Sequence, residues 1–133
     1  MTDDELVSVA MKLVGEFRTS PDCVAGGVAA ALVTSAGRVY TGICIDTACS
    51  LGFCAEHAAV AEMLKSRESE VYSIVAVDSG GKVLAPCGRC RELLWQVSPR
   101  NADTHVILGG GIAVTLAELL PHRFGNVANE TTA

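Results

Sequence analysis

The sequence predicts an α/β protein: a three-layer α/β/α sandwich built on a mixed sheet of about five strands. Three observations predict it. Stretches with helical spacing alternate with short apolar, β-branched stretches in the order helix, hairpin, helix, strand, helix, strand, strand, helix, a pattern buried most simply as a sheet with helices on both faces. Residues 71–77 are apolar on both sides of the strand they would form, as a central strand covered on both faces requires. The helices that separate strands imply crossovers, which return parallel and right-handed. At 133 residues the chain has room for one core, and no repeat or linker divides it, so residues 1–133 are expected to form a single domain.

Residues 3–17 read as an amphipathic helix. Thr2 or Asp3 caps it, acidic residues fill its first turn, and Leu6, Val9, Ala10, Leu13, Val14 and Phe17 recur at spacings of three and four. Thr19-Ser20-Pro21-Asp22 then supplies turn chemistry. Residues 28–34 form a small-residue strand, and the Ser35-Ala36-Gly37 turn joins it to a strand over 38–45. A loop follows to Phe53, and residues 54–67 carry a second helical pattern. After the strand at 71–77, Asp78-Ser79-Gly80-Gly81 makes a turn and residues 82–85 lead to Pro86, which presets φ before a helix over 87–97. Residues 105–108 and 112–114 read as strands joined by a glycine turn. Thr115-Leu116-Ala117-Glu118 has the capping-box pattern of a short last helix, and the polar tail, residues 126–133, is expected to be flexible.

Composition narrows the function. Half the residues are apolar, 19% are charged, and the net charge is -5. A binder of duplex DNA or tRNA normally presents a basic face, so no nucleic-acid partner is expected, whereas an uncharged small molecule suits an acidic protein. The acidic start, Met1-Thr2-Asp3-Asp4-Glu5, is unlike a signal peptide, and no apolar run approaches the roughly 18 residues that span a membrane. These features predict a cytoplasmic protein. In a reducing compartment six cysteines point to metal binding before disulfides. Cys23 and Cys49 are read as small buried hydrophobes, Trp95 as core, and His105 and His122 as ordinary surface or packing residues.

Two short motifs carry chemistry: Cys54-Ala55-Glu56-His57 and Pro86-Cys87-Gly88-Arg89-Cys90. Cys54, Cys87 and Cys90 offer three sulfur ligands for one Zn²⁺ per subunit. A structural zinc is closed by four ligands, and with no further matching pair in view the fourth position is expected to stay open for water, as in catalytic sites. Glu56, two residues after Cys54, is read as the proton carrier. Both motifs fall at predicted helix N-termini, where backbone N–H groups and the positive dipole end stabilise thiolates. Three thiolates overbalance a divalent ion, so positive partners are expected; Arg89 and Arg91 flank Cys90 and their guanidiniums are candidates to donate to the sulfurs. His57 could serve as a fourth ligand that closes the site, but it is placed behind the ligands with Arg89, because Cys54, Cys87 and Cys90 already serve the ion.

The combination resembles the three-cysteine form of the zinc nucleobase-deaminase signature. Over roughly residues 5–125 it is similar to the small homotetrameric cytidine deaminases, in the hairpin G-R-V-Y-T-G, in C-A-E, in P-C-G-R-C-R-E-L-L and in E-L-L-P-x-x-F-G, here Glu118 to Gly125. The resemblance implies a cytidine deaminase-like fold, zinc on Cys54, Cys87 and Cys90, and Glu56 shuttling protons. It also implies that the backbone around Ala55 and Ala85 holds the base, that Phe124 closes a neighbouring subunit's pocket, and that the assembly is a homotetramer with shared active sites. The sequence departs from that family where Gly42-Ile43-Cys44-Ile45-Asp46 replaces a G-x-N-x-E pattern that holds the ribose. Cys44 cannot repeat the asparagine's hydrogen bonds, while Asp46 remains a candidate for a sugar hydroxyl. Ala25-Gly26-Gly27 replaces an aromatic residue, and His57 replaces the arginine of C-A-E-R. With Arg89 between the later cysteines, this last exchange resembles the blasticidin S deaminases. The resulting expectation is a zinc hydrolase that removes the 4-amino group of cytosine in cytidine, deoxycytidine or an analogue, releasing ammonia in pyrimidine salvage. The alternatives are blasticidin S resistance or another aminated heterocycle; a zinc-stabilised module without turnover and nucleic-acid editing rank last.

Overall fold

The computed structural model describes residues 1–125, so the expectation for the tail at 126–133 lies outside the described residues. In chain order the elements are α1 (Asp3–Leu13), β1 (Phe17–Ser20), β2 (Cys23–Thr34), β3 (Val39–Thr47), α2 (Ala55–Lys65), β4 (Val71–Asp78), β5 (Val83–Leu84), α3 (Gly88–Val97), β6 (His105–Gly109), β7 (Ile112–Thr115) and α4 (Leu116–Leu119). Single 3-10 turns at Ala48–Ser50 and Pro99–Asp103 complete the list.

One sheet holds all seven strands among the described residues, along the path β1-β2-β4-β6-β7 with β3 on β2 and β5 on β4. β3 and β4 both run antiparallel to β2 and therefore parallel to each other, with α2 crossing between them. β4 and β6 pair parallel, with Ser73 opposite His105 and Ile74 opposite Val106, and α3 makes that crossover. The alternation of side chains along each strand assigns the two faces. Ala31, Val33, Val75, Val77 and Ile107 pack under α1 through Leu6 and Ala10. Ala30, Leu32, Ile74, Ala76 and Val106 face α2, α3 and α4 through Val60, Met63, Leu94 and Leu116, with Trp95 half-buried against this larger core. The three-layer architecture is the one expected, and the alanine-rich β2 has a packing reason. No described helix is long and apolar enough to cross a membrane.

The sheet has seven strands where about five are expected, and both additions are short edge pieces. α1 stops at Leu13: Val14 turns extended at φ -66°, ψ 137°, and Gly15 N–H donates to Gly26 O at 2.8 Å. The chain then runs beside β2 as β1. Phe17 continues the helical spacing by coincidence and is half exposed. β5 is a two-residue pairing with Ala76 and Val77 of β4, too brief to leave a periodic signal. Cys23 is half-buried, and Cys49, expected to be buried, is exposed; it occupies the left-handed region at φ 60° in a surface turn.

The fold places the first motif through Gly42. A Cβ at this β3 position would collide with Ala58, the Ala59 N and the Ala55 O, so only glycine lets the start of α2 lie directly on the strand. The capping box of α4 forms as expected, with Thr115 Oγ1 accepting from Glu118 N–H and Glu118 Oε1 accepting from Thr115 N–H.

Candidate metal centre

Cys54 and Cys87 are the N-caps of α2 and α3, each in extended conformation and neither using its side chain to cap the helix. Both sulfurs are thereby free for other partners. The third residues of the two helices are His57 and Cys90. Cys54 Sγ lies 3.4 Å from Cys87 Sγ, and Cys87 Sγ lies 3.4 Å from Cys90 Sγ. His57 Nδ1 is 3.5 Å from Cys90 Sγ, and the ligating atoms of Cys54, His57 and Cys90 all fall within 4.8 Å of one another. Zinc–sulfur bonds of about 2.3 Å at tetrahedral angles separate sulfurs by about 3.8 Å. The three thiols are therefore gathered closely enough for one zinc ion, with a small outward adjustment.

The local charges point the same way. Burial pushes the Cys54 and Cys90 thiols up, reinforced at Cys54 by contact with Cys87 and at Cys90 by the Glu56 carboxylate. Burial also opposes ionisation of Cys87, but the backbone N–H groups of Cys90 and Arg89 and the neighbouring thiols outweigh it and lower that group. A pocket that resists collecting negative charge, yet is built of thiols, suits a bound dication, which reverses the balance and deprotonates its ligands. Burial raises the Glu56 carboxyl above the usual carboxylate range, and burial with the Arg89 charge lowers His57.

An open cleft of about 430 Å³ opens beside the two helix N-termini. Glu56, only 5% exposed, forms part of its wall with Cys54, Ala55, Cys87 and Arg89. Ala85 and, from β3, Cys44 and Asp46 line it too. The structure thus brings every predicted substrate or proton-transfer residue to one cleft except Phe124. Phe124 is 78% exposed, and its N–H donates to Glu92 Oε1 at 2.6 Å, away from the cleft lining. Cys44 Sγ accepts from Val28 N–H at 3.2 Å and sits 3.8 Å from Asp46 Oδ2, so its thiol is already engaged.

One expectation is corrected. Arg91 does not donate to the sulfurs: its Nε donates to Pro86 O at 2.8 Å and its Nη1 to Leu119 O at 3.1 Å. It straps the Pro86 turn to the end of α4 and so holds the second motif in place. Arg89 is the arginine that lines the cleft. Val28 and Phe53 also line it, and sequence reasoning missed both. Val28 enters through the register shift between Ala25 and Ala29, for which the Gly26-Gly27 pair was the available signal. Phe53 is held by reciprocal backbone hydrogen bonds with Ile45 at 3.0 Å and had no local signal.

The comparisons with known proteins agree with this geometry. The sequence profile described as "Cytidine and deoxycytidylate deaminase zinc-binding region" matches residues 1–105. The cytidine deaminase of Halalkalibacterium halodurans is 36% identical over 102 residues, covering 73% of this chain and 76% of that protein. A cytidine deaminase of Mycobacterium tuberculosis, solved as a glutamate-to-glutamine mutant, superposes with a TM-score of 0.79 at 28% identity, covering 94% of this chain and 99% of that one. The blasticidin-S deaminase of Bacillus cereus is 28% identical over 109 residues, covering 73% of this chain and 76% of its own. Gathered thiols, a buried carboxyl beside them, and a profile match over residues 1–105 converge: the chain belongs to the cytidine and deoxycytidylate deaminase zinc-binding family and is a zinc-dependent hydrolase of that chemistry.

Proposed function

We propose that this protein hydrolyses the 4-amino group of a free cytosine nucleoside, cytidine or deoxycytidine, with Cys54, Cys87 and Cys90 holding the zinc and Glu56 carrying the protons. The observation that carries the reading is the position of Glu56, a buried carboxyl in the wall of a cleft that also exposes two of the three gathered thiols. Bound zinc supplies the Lewis acidity that makes water a nucleophile at neutral pH. Glu56 would take a proton from the attacking water and give it to the ring nitrogen next to the amine-bearing carbon as the new C–O bond forms; it would then carry the hydroxyl proton to the amine, so that the C–N bond breaks with release of ammonia and the carbonyl is left behind. Burial raises the Glu56 carboxyl above the usual carboxylate range, the direction that suits a group which must hold a proton as well as release it. The backbone at Ala55 and Ala85 orients the base edge, and Val28, Phe53 and Leu84 give the cleft apolar walls against the ring. Asp46 is the acceptor for a sugar hydroxyl. Cys44, tied to the Val28 N–H, contributes shape rather than a hydrogen bond.

The free thiols this site needs, all six unpaired, suit a reducing compartment, and we place the enzyme in the cytoplasm. Phe124, exposed on its own subunit, and Leu51, 81% exposed in the turn before the first motif, support a homotetramer in which one subunit covers another's cleft. A second reading, an enzyme that deaminates blasticidin S, is favoured by Arg89 on the cleft wall and by the absence of an arginine at His57. The test is ammonia release with loss of substrate absorbance for cytidine, deoxycytidine, cytosine and blasticidin S side by side. Turnover of the nucleosides supports the first reading, turnover of blasticidin S alone supports the second, and inactivity on all four refutes both.

A further inference from the structure

Building on the shared clefts proposed above, we propose that Glu92 is a positioning residue for substrate binding: its carboxylate holds the backbone at Phe124 so that the ring closes the cleft of a neighbouring copy of this chain. If the clefts are not shared, this role falls with them. Beyond Leu120 the described chain is in neither helix nor strand, yet the backbone of Phe124 is gripped on both sides. Its N–H donates to Glu92 Oε1 at 2.6 Å, and its carbonyl accepts from Arg123 Nη1 at 2.8 Å.

The grip is built into the helix that carries the second cysteine motif. Arg91 and Glu92 follow Cys90 directly in α3, and both reach the chain that leaves α4. Arg91 Nη1 donates to Leu119 O at 3.1 Å, so residues 119–124 are tied to α3 at both ends, with Pro121 stiffening the span between. The Glu92 carboxylate is itself oriented. Gln96, one turn further along α3, donates from Nε2 to its Oε2 at 3.1 Å, which leaves Oε1 for Phe124. An N–H bond to a carboxylate is among the stronger hydrogen bonds.

What this bond fixes is an exposed aromatic. The Phe124 side chain is 78% exposed and does not line its own cleft, so within one subunit a fixed ring gains little packing for the order it costs. Across a subunit boundary the balance changes. A ring held in place before contact loses less conformational entropy on meeting its partner, and aromatic rings contribute strongly when an apolar wall takes them up. Glu92 does not line the cleft either, so it acts on substrate affinity through Phe124 and stays clear of the zinc and the protons.

The test is steady-state kinetics of the full-length, zinc-replete protein beside Glu92→Ala, Glu92→Gln, Phe124→Ala and the double alanine variant, with cytidine, or with blasticidin S if that alone is turned over. Glu92→Ala should raise KM about tenfold, equivalent to about 1.4 kcal/mol of binding, while kcat stays within about threefold. Phe124→Ala should raise KM at least as much, and the double variant no more than Phe124→Ala alone, because both remove one contact. Glu92→Gln, which keeps an oxygen acceptor at the same reach, should restore most of the affinity. Glu92→Asp, which withdraws the oxygen by one methylene, should mimic Glu92→Ala and takes its place if that variant folds poorly. Mixed oligomers of Glu92→Ala chains with Glu56→Gln chains in excess give the deciding readout. Only the Glu92→Ala chains turn over there, and their KM should return towards wild type because an intact neighbour supplies Phe124. A KM that stays raised in the mixed oligomers, or substitutions whose effects add, would mark Glu92 as a structural residue of its own subunit and overturn the proposal. An unchanged KM in Glu92→Ala beside a raised KM in Phe124→Ala overturns this proposal alone. An unchanged KM in Phe124→Ala, or a monomer in solution, overturns the shared clefts as well, and inactivity on every substrate overturns it together with the proposed function.

Discussion

Replacing Glu56 by glutamine keeps the shape of the side chain and removes its ability to accept a proton. The carboxyl is only 5% exposed, so bulk water has little access to stand in for it. General acid–base catalysis by a positioned side chain is worth about 10²–10⁴ in rate. At about 1.4 kcal/mol per tenfold, that adds about 3–5 kcal/mol to the barrier. The zinc ligands are untouched, so Glu56→Gln should retain one zinc per chain by metal analysis, bind substrate with little change in KM and lose kcat by at least 100-fold in the ammonia assay. A kcat within tenfold of the wild type would refute the role given to Glu56. Loss of the metal would show instead that the carboxylate is a ligand.

Gly42→Ala should force α2 away from β3, because the new Cβ meets Ala55, Ala58 and Ala59; a cost of about 1–3 kcal/mol is expected in a denaturant melt, and an unchanged midpoint would contradict the packing described. Chelating the zinc should abolish ammonia release while far-UV circular dichroism stays folded, since the sheet and its two cores do not depend on the ion; unfolding in step with metal loss would mark the site as structural. The Glu68 carboxyl is held below its ordinary value by the hydroxyls of Tyr40 and Thr34 and by the Arg38 guanidinium. A depressed carboxyl contributes stability that is present above the ordinary value of 4.5 and is lost as pH falls through the lower folded value. Glu68→Gln should therefore narrow its stability gap to the wild type below that pH, and thermal melts of constant separation across the range would refute the assignment.

The sequence by itself determined the features that depend on neighbours a few residues away. N-cap and first-turn positions are local, so Cys54 with Glu56, and Cys87 with Cys90, announced two helix starts and a thiol site before any fold was known. The capping box of Thr115 and Glu118 and the apolar run of β4 were legible for the same reason. Tertiary structure decided whatever depended on register and packing between distant segments. The extra strands exist only because β2 and β4 offer them edges. Arg91, adjacent to a ligand in sequence, was drawn to the carbonyls of Pro86 and Leu119 because α4 folds back against α3. Cys44 found the Val28 N–H only through the shifted register of β2 and β3. The nearness of His57 to Cys90 required two helix N-termini to converge. Spacing within one helix sets which side chains share a turn; which turns meet is set by the sheet that carries the helices.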